Sequence, residues 1–126
     1  MSAQDRQLRG RNANRTGLAG EAAAKALLER LGMAILAERA RTPHGELDLV
    51  ARDLGTLVFV EVKARPTRAE AAHALSPRQA RRIGEAALHW AAERGEVDAP
   101  MRVDVVLVDG RGLAEHLPDA VRFDEW

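Results

Sequence analysis

The sequence predicts a small single-domain α/β protein with a mixed sheet, and three observations carry that reading. Residues 17–31 and 76–95 repeat apolar residues at helical spacing. Between them, "GELDLVARDLGTLVFVEVKAR" (Gly45–Arg65) sets two apolar runs on either side of an Asp-Leu-Gly-Thr turn, which is a hairpin pattern. After the second helix, "MRVDVVLVDG" is almost continuous Val and Leu, as expected of a strand covered on both faces. The order is helix, three strands, helix, then one or two strands. Strands packed against two amphipathic helices give the α/β class.

Residues 1–16 carry Arg6, Arg9, Arg11 and Arg15 with few apolar groups, so a flexible basic arm is expected there and a folded domain over 17–126. In the first helix, Gly17–Leu31, the residues Leu18, Ala22, Ala24, Leu27, Leu28 and Leu31 share a stripe, and Gly32 stops it. "MAILAER" (Met33–Arg39) fits a first strand, after which Pro43, His44 and Gly45 break the chain before the hairpin. Residues 65–76 border Lys63 and have Leu75 as their main anchor. They read either as a mobile flap or as a plain surface loop. Ser76 as N-cap, Pro77 at the first helical position and Gln79 as the reciprocal capping-box residue open the second helix. Its buried stripe is Ala80, Ile83, Ala87 and Trp90, and it ends near Gly95. A strand and turn over Met101–Gly110 come next, then a short last strand, Leu113–Leu117, before Pro118.

Composition narrows the function. A chain of 126 residues without cysteine has neither disulfides nor thiolate metal sites and fits a reducing compartment. The N-terminal segment is basic and polar, unlike a signal peptide, and no apolar run reaches the ~20 residues of a membrane span. A cytoplasmic protein with no membrane partner is therefore expected. Net charge is zero, yet residues 1–82 hold 15 Arg and Lys against 9 acids, and residues 83–126 hold 4 against 10. That asymmetry points either to a polyanion partner or to chance placement in an Arg-rich chain. Of 19 basic residues, only Lys25 and Lys63 are lysines.

The hairpin carries the chemistry. Strand alternation puts Glu46 and Asp48 on one face, opposite Leu47 and Leu49. In the second arm Leu57, Phe59, Glu61 and Lys63 share a face. A turn centred on Leu54 and Gly55 sets Asp48 opposite Glu61 and Glu46 opposite Lys63, unless a bulge at Gly55 shifts the register. Facing carboxylates repel, so a shared proton or a divalent cation must offset the cost. A neighbouring lysine favours the cation, since Mg²⁺ is commonly held by one or two carboxylates with water and phosphate. The alternative is a solvated hairpin face with a Glu46–Lys63 ion pair. Glu21 reads locally as an i,i+4 pair with Lys25. Arg102 and Asp104 share a strand face and read as a structural pair. No histidines show paired metal spacing.

"GELDLV", an intervening turn and "FVEVKAR" resemble the split active-site motif of the PD-(D/E)xK nuclease superfamily. More narrowly, the chain resembles the small bacterial YraN-type family, relatives of archaeal Holliday-junction resolvases. "TGLAGEAAAKALLERLG", "HWAAERG" and "MRVDVVLV" extend the resemblance along most of the chain. It implies a restriction-endonuclease-like fold with an αβββαβ core, and a metal-dependent DNA endonuclease using Mg²⁺ or Mn²⁺. Asp48 and Glu61 would be metal ligands, Lys63 the catalytic lysine, and Glu21 a further acid from the first helix. Glu46 matches the motif without being a direct ligand, acting through water or by pairing with Lys63. Gln79 stands where that family leads one to expect a lysine. Arg41, Arg65 and Arg68 are the expected DNA contacts. Scarce aromatics argue against base stacking, so branched, flapped or single-stranded DNA is the expected substrate. Resolvases imply action as a homodimer, although no segment specifies an interface. The alternative is a non-catalytic DNA-binding or scaffold protein that retains a nuclease-like fold.

Overall fold

The computed structural model describes residues 19–121. Helix α1 (residues 19–30) leads into strands β1 (Ala34–Thr42), β2 (Gly45–Asp53) and β3 (Thr56–Ala64). Helices α2 (Arg68–Ala72) and α3 (Pro77–Glu93) come next, then strands β4 (Met101–Val108) and β5 (Ala114–Val121). The basic arm expected over residues 1–16, the expected helix start at Gly17 and the last five residues of the domain lie outside the described residues. No helix among the described residues is long and apolar enough to cross a membrane.

One five-stranded mixed sheet, in the order β1-β2-β3-β4-β5, forms the middle layer. Only the β3–β4 pair is parallel, because the helical connection through α2 and α3 returns the chain to the same edge of the sheet. On one face α3 presents Ile83, Ala86, Ala87, Trp90 and Ala91 to Leu57 and Phe59 of β3 and Val103 of β4. Trp90 meets Phe59 edge to face, with ring centroids 5.9 Å apart. On the other face α1 places Ala24 and Leu28 against Leu49, Ala51, Val58, Val60, Val106 and Val108. Residues 103–108 of β4 are all buried, as a strand covered on both faces requires. The fold is α/β, a mixed sheet flanked by helices, and is compatible with a single-domain nuclease-like architecture.

Two local features shape the end of the sheet where the predicted site residues lie. Gly20 is buried where α1 crosses the end of β3, and a Cβ there would lie 2.7 Å from the Cβ of Ala64. Only glycine lets the helix come so close, and the next residue, Glu21, is thereby carried to that end of the sheet. The hairpin turn has positive φ at both central residues, +51° at Leu54 and +98° at Gly55, the two-residue geometry that suits twisted strands. No bulge forms at Gly55, and Asp53 faces Thr56 directly.

Three expectations need correction. Residues 65–76 are not a plain loop, and Leu75 is not their sole anchor, because they contain helix α2. Thr67 caps α2 by accepting the Glu70 N–H, and Ala71 is fully buried beside Val105 and Leu107. The last strand does not stop before Pro118. It runs to Val121, because β5 is an edge strand, where a residue lacking an N–H is tolerated. Finally, the Ser76 hydroxyl accepts the Gln79 N–H as a cap should, but the return half of the box is missing: Gln79 Oε1 is buried without a hydrogen-bond partner.

Candidate active site

The predicted hairpin register holds from the turn outward as far as Leu49↔Val60 and then stops. The β1–β2 pair is irregular at the same place. Arg39 sits in the left-handed region at φ +50°, and the β1–β2 ladder lacks the Arg39↔Asp48 pair between Glu38↔Leu49 and Ala40↔Leu47. A residue in that conformation breaks the alternation of faces. Leu47 packs with the α3 core and Leu49 with the α1 core, so these two do not share a face as simple alternation predicted. Beyond Leu49, β2 parts from β3, and the Asp48 carboxylate enters the gap. Its Oδ2 accepts the backbone N–H of Val62 at 2.8 Å, taking the place of a ladder carbonyl. The predicted cross-strand pairs of Asp48 with Glu61 and of Glu46 with Lys63 are absent from the ladder.

On β3, alternation does hold. Glu61 and Lys63 follow Leu57 and Phe59, and both are buried, each only 6 % exposed. Lys63 Nζ lies 3.3 Å from Glu61 Oε1, so the lysine neutralises Glu61 rather than Glu46. The second Glu61 oxygen faces Arg82 of α3, Nη2 to Oε2 at 3.7 Å. Arg82 also donates from Nη1 to the Glu46 carbonyl at 3.1 Å, directly over Gly45. The Glu46 residue is itself exposed.

Glu21 comes to the same end of the sheet but does not pair with Lys25. Arg39 Nε donates to Glu21 Oε2 at 2.9 Å, and Lys25 reaches Glu38 instead at 3.2 Å. The left-handed residue Arg39 thus lies beside the irregular part of β2 and supplies a cation to Glu21. Glu21, and more weakly Glu46 and Asp48, hold the Arg39 guanidinium firmly in its charged form.

Of Glu21, Asp48 and Glu61, only Asp48 has no cationic side chain in contact. Its carboxyl is pushed up to about 7, first by burial and then by the negative charge of Glu61, with Glu21 adding to the effect. The Val62 hydrogen bond and Lys63 pull the other way without offsetting it. Strong perturbation by burial together with a like charge is characteristic of functional sites.

The donor chemistry suits a hard divalent ion: a buried and a half-buried carboxylate, the second uncompensated, at a place where two strands part. Asp48 and Glu61 are the residues that could hold it. Among the described residues no three His, Asp or Glu side chains stand close enough together to enclose a cation. Guanidinium and ammonium groups pair with Glu21 and Glu61.

The expected DNA-contacting arginines differ in their state. Arg41 is exposed, and Arg65 Nη1 donates to the carbonyl of its neighbour Ala64 at 2.7 Å. Arg68 is already engaged by Glu115 in a two-pronged pair at 2.6 and 3.1 Å. The sequence reading missed Arg82 and Arg39. Arg82 immediately precedes Ile83 of the buried stripe, on the flank that faces the sheet, and that position is its one sequence signal.

The family model described as Uncharacterised protein family UPF0102 matches residues 20–108, which include every acid of the site and Lys63. The chain belongs to this family. A UPF0102 protein of Bradyrhizobium sp. (strain ORS 278) is 51% identical over 104 residues, 82% of this chain and 74% of that one. Another, from Rhodopseudomonas palustris (strain BisB18), is 49% identical over 107 residues, 84% and 79% of the two chains. A third, from Granulibacter bethesdensis, is 46% identical over 119 residues, 94% of this chain and 75% of its own. Both elements that converge on Asp48, the β1–β2 pair and α1 from Gly20 onward, lie within the UPF0102 match.

Proposed function

We propose that this chain is a divalent-metal-dependent endonuclease that hydrolyses DNA phosphodiester bonds, with Mg²⁺ or Mn²⁺ as cofactor. The observation that carries the reading is the gap between β2 and β3. There the acids Asp48 and Glu61 meet the buried Lys63, while Asp48 is left without a cation of its own. When bound by Asp48 and Glu61, the metal supplies Lewis-acid polarisation of a phosphate oxygen and a more acidic water. The Val62 N–H fixes the Asp48 carboxylate in orientation. Lys63, anchored on Glu61, presents an ammonium that orients the attacking water or meets charge growing on the phosphate. Arg39 holds Glu21 at the rim of the same site. Arg78 and Arg81 on the first turns of α3 have no acidic partner among the described residues and can contact a phosphate backbone without reading sequence. This supports a branched, flapped or single-stranded DNA substrate more than a sequence-specific site.

One observation favours a second reading, a non-catalytic DNA-binding or scaffold protein. Glu61 is already neutralised from both sides by Lys63 and Arg82. Cleavage of labelled single-stranded, duplex, flapped and four-way-junction DNA, in Mg²⁺ or Mn²⁺ against EDTA, decides between them. The nuclease reading expects metal-dependent cutting that is lost in Asp48→Asn and Lys63→Ala. DNA binding without cutting in either metal leaves the second reading.

A further inference from the structure

We propose that Arg82 is a resident counter-cation of this site, which a divalent ion displaces from Glu61 and which then turns to a phosphate of the bound strand. The inference rests on the metal-nuclease reading above. Both oxygens of the Glu61 carboxylate face cations: Oε1 meets Lys63 and Oε2 meets Arg82. A metal ion that takes Glu61 brings a third positive charge to this carboxylate, and the cation held less firmly yields to it. Burial decides which. The Lys63 side chain is only 8 % exposed, whereas that of Arg82 is 33 % exposed and can leave towards solvent. Its contact with Glu61, at 3.7 Å, is beyond hydrogen-bond length and is a charge contact only. The hydrogen bond from Arg82 to the Glu46 carbonyl keeps the guanidinium at the mouth of the gap.

The place it leaves for is defined. Arg82 also lines a cavity of about 570 Å³ with Arg78, Gln79, Arg81 and Glu85. With Arg78 and Arg81 having no acidic partner among the described residues, the added guanidinium makes a surface for a phosphodiester backbone. Gly45 gives Arg82 its room, since a Cβ there would come within 2.6 Å of Arg82 Nη1. Metal and substrate would then be coupled through one side chain, each favouring the other.

The test is Mn²⁺ titration without DNA, followed by the spectrum of free Mn²⁺, on wild type, Arg82→Ala, Arg82→Gln and Arg78→Ala. Arg82→Gln retains a donor for the Glu46 carbonyl, and thermal melts confirm that each variant is folded. Both Arg82 variants should bind Mn²⁺ tighter, by roughly fivefold, as expected for loss of a partly exposed competing charge. Arg78→Ala should bind it as wild type does. In the Mn²⁺-loaded protein, the same Arg82 variants should bind a short phosphorothioate oligonucleotide more weakly, also by roughly fivefold. Unchanged or weaker Mn²⁺ binding in the Arg82 variants, or equal tightening in Arg78→Ala, overturns the role of Arg82 alone. Unchanged oligonucleotide binding overturns its turn to the phosphate. Absence of Mn²⁺ binding in wild type and all variants removes the metal reading with it.

Discussion

Asp48→Asn should make the metal-free protein more stable above neutral pH, and the structure sets the size of the effect. The carboxyl rises from an ordinary 3.8 to about 7 in the folded chain. At ~1.36 kcal/mol per unit, that difference corresponds to a cost of at most about 4 kcal/mol when the group is forced to ionise. The carboxyl is partly exposed, and solvent screening reduces this to about 2 kcal/mol. The sign comes from proton counts. Between about pH 4 and about pH 7 the folded chain holds the Asp48 proton and the unfolded chain releases it, so stability falls as pH rises through that window. The loss is complete above the folded value. Asparagine keeps an oxygen for the Val62 N–H and carries no charge. Thermal melts in EDTA at about pH 8 should place the variant about 8 °C above wild type, at roughly 4 °C per kcal/mol for a domain of this size. At about pH 4.5 roughly half of the gap should have closed. Added Mg²⁺ should raise the wild-type melting temperature and leave that of the variant nearly unchanged. A variant less stable than wild type in the alkaline melt, or a gap independent of pH, would refute the account of Asp48.

The packing and the ion pairs yield three further expected outcomes. Gly20→Ala places a methyl group 2.7 Å from the Cβ of Ala64, so α1 must move; a loss of about 2 kcal/mol is expected in urea titrations. Asp104→Asn strikes a fully buried carboxylate held by Arg102, His116 and the Asp119 N–H, and should cost about 3 kcal/mol while leaving Mn²⁺ affinity unaltered. Arg68→Ala removes an exposed pair with Glu115 and should change stability by less than about 1 kcal/mol. Since Glu115 already engages Arg68, its loss should also weaken DNA binding less than loss of Arg78 does in the same titration.

What the sequence could and could not show divides along physical lines. The turn at Leu54–Gly55 and the register up to Leu49↔Val60 were legible because turn length and strand alternation are local properties. The Arg102–Asp104 pair was legible for the same reason. The register failed at Asp48, where the β1–β2 pair is also irregular opposite the left-handed Arg39, and nothing in the pattern of "LAERART" marks that conformation. Glu21 was assigned to Lys25 by the helical i,i+4 rule. Both side chains in fact reach across to β1, to Arg39 and Glu38, partners that only the tertiary packing of α1 supplies. Arg82 needed the topology as well, since α3 meets the start of β2 only after the helical crossover.

The energetics of position 48 bear on the choice between the two functional readings. A protein whose hairpin only had to fold or bind would be better served by asparagine there. That residue keeps the Val62 hydrogen bond, fills nearly the same volume and avoids the charge beside Glu61. The aspartate instead carries a cost of about 2 kcal/mol above neutral pH, a large share of the ~5–15 kcal/mol that holds a domain folded. Surrounding side chains could have offset it. Arg39 turns to Glu21, and Lys63 and Arg82 turn to Glu61, so three cations gather within the site and none meets Asp48. An uncompensated, half-buried acid amid spare positive charge is what a site needs if its missing counter-charge is to arrive from solution. That arrangement supports the metal-binding reading over the scaffold reading, and Mg²⁺-dependent stabilisation of wild type but not of Asp48→Asn is its most direct expression.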